Sequence, residues 1–308
     1  MNHERPRIDI LLPTWNGERF LQAQLASLLT QHGVSVRILV HDDASDDGTW
    51  RLAQTCAARH RNIVLHTGPH VGVVGNVSRL LELSEHENRA GYFALCDQDD
   101  IWYPHKLARS MQAMRQLERR CGTGRPLLVC ADARCVDAQG RPLCASFLRG
   151  LGLSPGWGHD LRQALVMSHA LGCSCLGNAA LRRLALPLPP ADAIFMHDWW
   201  LLLVAVCFGA THCISEPLLD YRQHEGNTLG VRKPKAGILQ RLATSRECAR
   251  RSQRQARTFL RRYENQMDAA ALRITRAWTE MPETPWWLRQ WLCRKHGFGK
   301  PGWARLWT

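Results

Sequence analysis

Apolar runs and helical periods alternate through the first hundred residues, and this rhythm limits the chain to one fold class. Ile8-Asp9-Ile10-Leu11-Leu12, stopped by Pro13, reads as a strand. Residues 18–31 have helical apolar spacing through Phe20, Leu21, Leu25, Leu28 and Leu29, with a stop at Gly33. Val36–Val40 reads as a second strand, 50–59 as a helix, Ile63–His66 as a third strand, 76–83 as a helix and Tyr92–Cys96 as a fourth strand. This β-α-β-α order predicts a mostly parallel, doubly wound α/β sheet with right-handed crossovers and helices on both faces. Further on, the pattern predicts a helix over 107–120, a strand over 127–131 and a turn at 137–141. Helices are expected over 176–184 and 198–208, and a late edge strand over 211–214. Residues 142–170, rich in Gly, Pro and Ser, have no regular period.

Acidic clusters follow two of these strands. Asp42-Asp43-Ala44-Ser45 follows the second, and Asp97-Gln98-Asp99-Asp100 follows the fourth. Gathering like charges at a half-buried strand end costs several kcal/mol unless a cation compensates. Hard oxygen ligands suit Mg²⁺ or Mn²⁺, which also bind phosphate oxygens. Open α/β sheets collect ligands at the carboxyl ends of their strands. The second cluster therefore points to a metal–phosphate site, and the first to recognition of a nucleobase or ribose. No glycine-rich phosphate loop lies beside either cluster, so metal and basic side chains would have to handle phosphate charge.

Charge divides the chain in two. Residues 1–231 carry 22 basic and 22 acidic side chains; residues 232–308 carry 18 basic and 5 acidic, so the whole net charge of +13 lies in the tail. Two regions are expected: a catalytic domain over 1–231 and a basic, Trp-rich helical extension over 232–308. Within that extension, residues 238–281 contain neither Gly nor Pro and read as one long helix or a helical hairpin. The last 23 residues hold five Trp: Trp286, Trp287, Trp291, Trp303 and Trp307. Trp with Arg and Lys on an amphipathic helix suits an anionic membrane surface. A helix docked on the domain, or self-association through the C-terminal helices, is the alternative reading. No nucleic-acid-binding module is recognisable, and no nucleic-acid partner is expected. The longest apolar run, Trp199–Ala210, has 12 residues where a membrane span needs roughly 20. The twelve Cys are scattered, many in apolar runs, and are expected reduced; Cys173-x-Cys175 has the wrong spacing for a zinc knuckle. No secretory signal is visible, so the expected location is the cytoplasm, peripheral at the inner face of the plasma membrane.

Three motifs together carry a resemblance. Pro13-Thr14-Trp15-Asn16-Gly17, Asp42-Asp43-Ala44-Ser45-x-Asp47-Gly48-Thr49 and Asp97-Gln98-Asp99-Asp100-Ile101-Trp102 resemble family 2 glycosyltransferases of the GT-A fold. His197-Asp198-Trp199-Trp200 and Tyr221-Arg222-Gln223-His224-x-x-Asn227 are similar to its bacterial rhamnosyltransferase-like branch. The match covers about residues 7–230, with the pieces in the family's order and spacing.

The resemblance implies an inverting, metal-dependent transfer of a sugar, with L-rhamnose from a dTDP donor as the first choice and UDP-hexose or UDP-N-acetylhexosamine donors as the alternative. It implies that Asp43 reads the pyrimidine, with Asp42 beside it and Thr14 and Asn16 against the nucleotide. Asp97 would face the ribose and diphosphate. Asp99 would bind Mg²⁺ or Mn²⁺, with His224 as a further ligand, and Asp100 and Arg222 would support the loop or the diphosphate. Asp198 is the implied general base, within about 3 Å of the acceptor hydroxyl. Trp102, Trp199 and Trp200 are candidates for stacking on sugar rings, and Cys173 for acceptor contact. The implied acceptor is a cell-surface glycan or lipid-linked oligosaccharide such as O-antigen. A phosphatase using Asp97 as nucleophile fits poorly, because Ile101 stands where its motif needs Thr or Val. A nucleotidyltransferase would need a Gly-rich basic loop after strand one. A non-enzymatic protein acting through its basic tail is the distant alternative.

Overall fold

The computed structural model describes residues 5–87, 91–154, 156, 158–225, 238–281, 291, 293 and 295–298. Asn227 and four of the tail tryptophans, Trp286, Trp287, Trp303 and Trp307, lie outside the described residues.

The N-terminal half follows the expected alternation: β1 (Arg7–Thr14), α1 (Glu18–Leu29), β2 (Ser35–Asp42), α2 (Thr49–Arg59), β3 (Ile63–Thr67), α3 (Gly72–Glu87) and β4 (Tyr92–Leu95). These strands pair in parallel in the order β3-β2-β1-β4. The strand period of two sorts side chains to opposite faces. Ile8, Ile10 and Leu12 pack with Leu21, Leu25 and Leu28 of α1, whereas Leu11 faces Val77, Leu80 and Leu81 of α3. Asp9 shares the α3 face; its fully buried carboxylate is held by Arg37 at 3.0 Å and by Ser84 Oγ at 2.7 Å.

Beyond β4 the sheet becomes mixed. β5 (Ile101–Trp102), α4 (Lys106–Cys121), β6 (Leu127–Asp137), β7 (Pro142–Cys144), α5 (Phe147–Gly150) and α6 (Leu161–Val166) are followed by a 3₁₀ turn at Gly172–Ser174. Then come β8 (Leu176–Asn178), α7 (Ala179–Ala185), α8 (His197–Phe208) and β9 (Ala210–Gln223). The sheet continues β4-β8-β6-β9-β5, with β7 beside β6. β8 is antiparallel to both β4 and β6, β9 is parallel to β6, β5 is antiparallel to β9 and β7 is antiparallel to β6. The parallel expectation therefore holds among β1 to β4 and for the single pair of β6 with β9.

Two local expectations change. The helix expected over 176–184 begins at Ala179, because Leu176-Gly177-Asn178 fills the slot between β4 and β6 as a strand and Asn178 then caps α7. A Cβ at Gly177 would stand 2.4 Å from the Phe93 ring, so this strand requires glycine. The late strand is 14 residues long and lies between β6 and β5 rather than at an edge. Pro217 is tolerated because the β6–β9 register shifts beside it.

The C-terminal helices α9 (Ile238–Tyr263) and α10 (Ala269–Thr279) form a hairpin, with Asp268 accepting the Ala271 N–H as the cap of α10. They dock on the α8 side of the sheet. Phe259 and Tyr263 pack against Trp200, and Trp278 donates to Ser252 Oγ, which itself donates to the Leu165 carbonyl. Among the described residues no helix is long and apolar enough to cross a membrane.

Candidate active site

The loop after β4 crosses the carboxyl edge of the sheet, and two neighbours fix it there. Gln98 accepts from the Trp15 N–H and donates to the Trp15 carbonyl, both at 2.9 Å, latching the acidic loop to the β1–α1 turn. From the other side the end of β9 closes in. The Arg222 N–H donates to Asp100 Oδ1 at 3.0 Å, and its guanidinium donates to the carbonyls of Asp99 and Ala138 at 2.7 and 3.0 Å. His224 Nε2 lies 2.7 Å from Asp99 Oδ2. The side chains of this pair keep 17% and 12% exposure, so it faces solvent, whereas Asp100 is fully buried.

Burial and mutual repulsion set the charges. Asp97 is pushed up to about 7, first by burial and then by the charges of Asp99 and Asp198. Asp100 is driven well above the carboxylate range by burial and by Asp99 and Asp97. Asp198 rises to about 6 through burial, which outweighs the hydrogen bonds its carboxylate accepts from the N–H groups of Trp199 and Gly172. It stands in the first turn of α8, where Met196 is the N-cap. A helix N-terminus should depress a carboxyl, so the rise is a correction to expectation: desolvation wins here.

The donor set fits a divalent cation. Asp99 and His224 are adjacent and partly open, and Asp97 carries a pKa that a nearby cation would lower. Deeper in the loop, Asp97, Asp100 and Cys173 bring one ligand atom each within 4.8 Å of one another.

The expected nucleotide end lies at the tips of β1 and β2. Thr14 Oγ1 donates to Asp42, which also accepts from the Ser45 N–H and hydroxyl, so Asp42 organises its own turn. Asn16, at φ 47°, accepts the Asp46 N–H on Oδ1 and donates its backbone N–H to Ser45 Oγ. The buried carboxylate of Asp43 accepts from the N–H groups of Val71 and Gly72, both at 2.8 Å, and lies 3.0 Å from His70 Nδ1. His70 belongs to none of the sequence motifs. Its ring sits 5.0 Å from that of Trp15, which is 52% exposed, and the two aromatics flank the Asp43 turn. A Trp left open in a rigid turn was the available signal for a flat ligand surface.

The sugar-stacking candidates need correction. Trp102 is buried under the Lys106 ammonium, 3.6 Å from its ring. Trp200 is fully buried among α9 aromatics, and Trp199 donates its indole N–H to the Ala164 carbonyl. All three are core residues. Cys173 is likewise fully buried, beneath Asp97 and Asp100, so it does not form an acceptor surface. Lys106, held down to about 8 by burial, interacts electrostatically with Cys173 and Asp100 on the buried side of this group.

A mixed α/β sheet with an acidic loop at the carboxyl edge of its parallel strands is the architecture of the GT-A fold. Residues 9–126 match the family described as Glycosyl transferase family 2, and the protein is a glycosyltransferase. It is 27% identical over 228 residues to the dTDP-rhamnosyl transferase RfbG of Shigella flexneri, covering 71% of this chain and 74% of that one. The putative teichuronic acid biosynthesis glycosyltransferase TuaG of Bacillus subtilis is 27% identical over 122 residues, 39% of this chain and 46% of TuaG. Among solved structures, S. aureus TarS (residues 1–349, with UDP-GlcNAc) superposes with a TM-score of 0.55 at 15% identity, covering 85% of this chain and 73% of that one. The mannosyltransferase PcManGT of Pyrobaculum calidifontis, with GDP-Man and Mn²⁺, gives 0.51 at 17% identity, covering 99% and 84%.

Proposed function

We propose that this enzyme transfers L-rhamnose from dTDP-rhamnose, with inversion, to a hydroxyl of a cell-surface glycan or its lipid-linked precursor, such as O-antigen. The observation supporting the sugar is the 27% identity to a dTDP-rhamnosyl transferase over 71% of the chain. The chemistry rests on the shared cleft of Asp97, Asp99, His224 and Asp198. In this reading the thymine lies against Trp15 and His70 beside Asp43, with Thr14, Asn16 and Asp42 shaping that turn. Asp97 faces the ribose and diphosphate. Asp99 and His224 would hold Mg²⁺ or Mn²⁺, which supplies Lewis-acid neutralisation of the leaving diphosphate. Arg222 and Asp100 keep the loop in position. Asp198 takes the proton of the acceptor hydroxyl as its oxygen bonds to the anomeric carbon and the bond to the diphosphate breaks, through an oxocarbenium-like transition state. A base poised near 6 is ionised at neutral pH yet basic enough to share that proton.

An acceptor at the inner face of the plasma membrane matches the tail, whose 18 basic against 5 acidic side chains favour an anionic surface. The test compares dTDP-rhamnose, UDP-glucose and UDP-GlcNAc as donors with Mn²⁺, reading release of nucleoside diphosphate. dTDP-rhamnose should turn over at least roughly tenfold faster. Preference for a UDP-hexose would overturn rhamnose. Independently, dTDP with Mn²⁺ at about 100 times its dissociation constant should stabilise the fold by about 2.7 kcal/mol.

A further inference from the structure

Away from the donor cleft, thiols gather on the α8 face of the sheet. Cys130 of β6 is the register partner of Cys213 of β9, and both belong to the core beneath α8. Partners in adjacent strands project to the same side. His169, in the segment leading to the Gly172–Ser174 turn, reaches the same spot. One ligand atom each from Cys130, His169 and Cys213 lies within 4.8 Å of the others, at residue exposures of 1%, 3% and 6%. In a tetrahedral zinc site with bonds of about 2.0–2.3 Å, ligand atoms stand about 3.5–4 Å apart, so the three need to close by no more than about 1.3 Å. The β6–β8 register sets Val129 opposite Leu176; continued by one residue it brings Cys175 beside Cys130. The His169 ring is tightly seated: a Cβ on Gly158 would stand 2.0 Å from Nδ1, and the His159 ring packs edge-on at 5.5 Å.

We propose that Cys130, Cys213 and His169 bind a structural Zn²⁺, with Cys175, whose Sγ lies outside that 4.8 Å cluster, turning in as the fourth ligand. Two thiolates and an imidazole select zinc over the oxygen-seeking Mg²⁺ or Mn²⁺ of the donor cleft. Burial already keeps His169 neutral, at about 4, which is its ligand form. Burial holds the Cys130 and Cys175 thiols protonated, so each cysteine that ligates releases its proton as the metal enters and the thiolate–metal bond forms. The ion would tie β6 and β9 to the strand of chain that runs into Gly172, whose N–H supports Asp198. The site is independent of the donor sugar.

Elemental analysis of the purified full-length enzyme, and cobalt titration of the zinc-stripped enzyme, test this. The expected result is about one zinc per chain and a thiolate-to-cobalt charge-transfer absorption. That absorption should weaken in Cys213→Val and in His169→Gln and vanish when Cys130→Val is combined with Cys213→Val, with dTDP–Mn²⁺ stabilisation retained. Oxygen-bound cobalt in the acidic cleft gives no such band, and one through Cys173 would survive Cys213→Val. Substoichiometric zinc with no thiolate band in the wild type overturns the proposal, as does a band that Cys213→Val leaves undiminished. A Cys130–Cys213 disulfide found by mass spectrometry in enzyme prepared under reducing conditions also overturns it. Should Cys213→Val not fold, the wild-type zinc content and cobalt spectrum decide alone.

Discussion

Asp198 is a carboxylate in the first turn of a helix whose burial lifts it to about 6. For a base, activity requires the ionised form, so turnover should climb as pH rises through about 6 and level above it. Asp198→Asn should lower kcat by at least roughly 10²-fold and abolish that limb of the profile, with donor affinity nearly unchanged; loss of donor binding instead would remove Asp198 from the role. Asp97, Asp100 and Asp198 all bind protons more tightly folded than unfolded. Over the window between their ordinary value near 4 and about 6–7 the folded chain holds more protons, so metal-free stability should fall as pH rises through it. Melting temperatures from pH 4 to 8, with and without Mn²⁺, check the sign, and the cation should flatten the slope. Asp99→Ala should eliminate the Mn²⁺-dependent part of nucleotide stabilisation while leaving the circular dichroism spectrum intact. These acids were legible because three carboxylates after an apolar strand have no packing explanation. Gln98 and His70 were not: an amide that clamps a backbone turn and an imidazole 27 residues from Asp43 acquire meaning only when the sheet brings their partners.

Elements were read well where local period and burial agree, as in β1–β4 and the α9–α10 region. They were misread where a partner decides. Leu176–Asn178 has a helical neighbourhood but is a strand because β4 and β6 leave a gap of that size. Of the tryptophans in the HDWW piece, Trp199 is tied to the Ala164 carbonyl and the Phe195 ring, and Trp200 is covered by α9. Phe259 is the contact that does this: it is fully buried and lies 5.5 Å from Trp200 and 4.9 Å from Tyr263. Phe259→Ala should cost about 3–5 kcal/mol in urea unfolding. A loss below about 1 kcal/mol would mean that α9 is a loose appendage.

At the scale of the whole molecule, net charge and the acidic loop occupy different regions: the neutral 1–231 holds Asp97–Asp100 and 232–308 holds the net +13. The intact chain should sediment with anionic liposomes, less so as salt rises, and deletion of 282–308 should weaken that binding; unaltered binding by the deleted chain would assign attraction elsewhere. The order of strands in the sheet also bears on how the protein is made. Every pairing of the parallel half is available once residue 95 has been synthesised, but β4 then ends the sheet as an open edge. Its remaining neighbour, β8, arrives only with residues 176–178. For about eighty codons the nascent chain carries the four parallel strands with a bare edge, the kind of surface on which chains associate wrongly. Ribosome-tethered chains ending near 150 and near 230 should therefore differ in protease resistance and in their demand for chaperones.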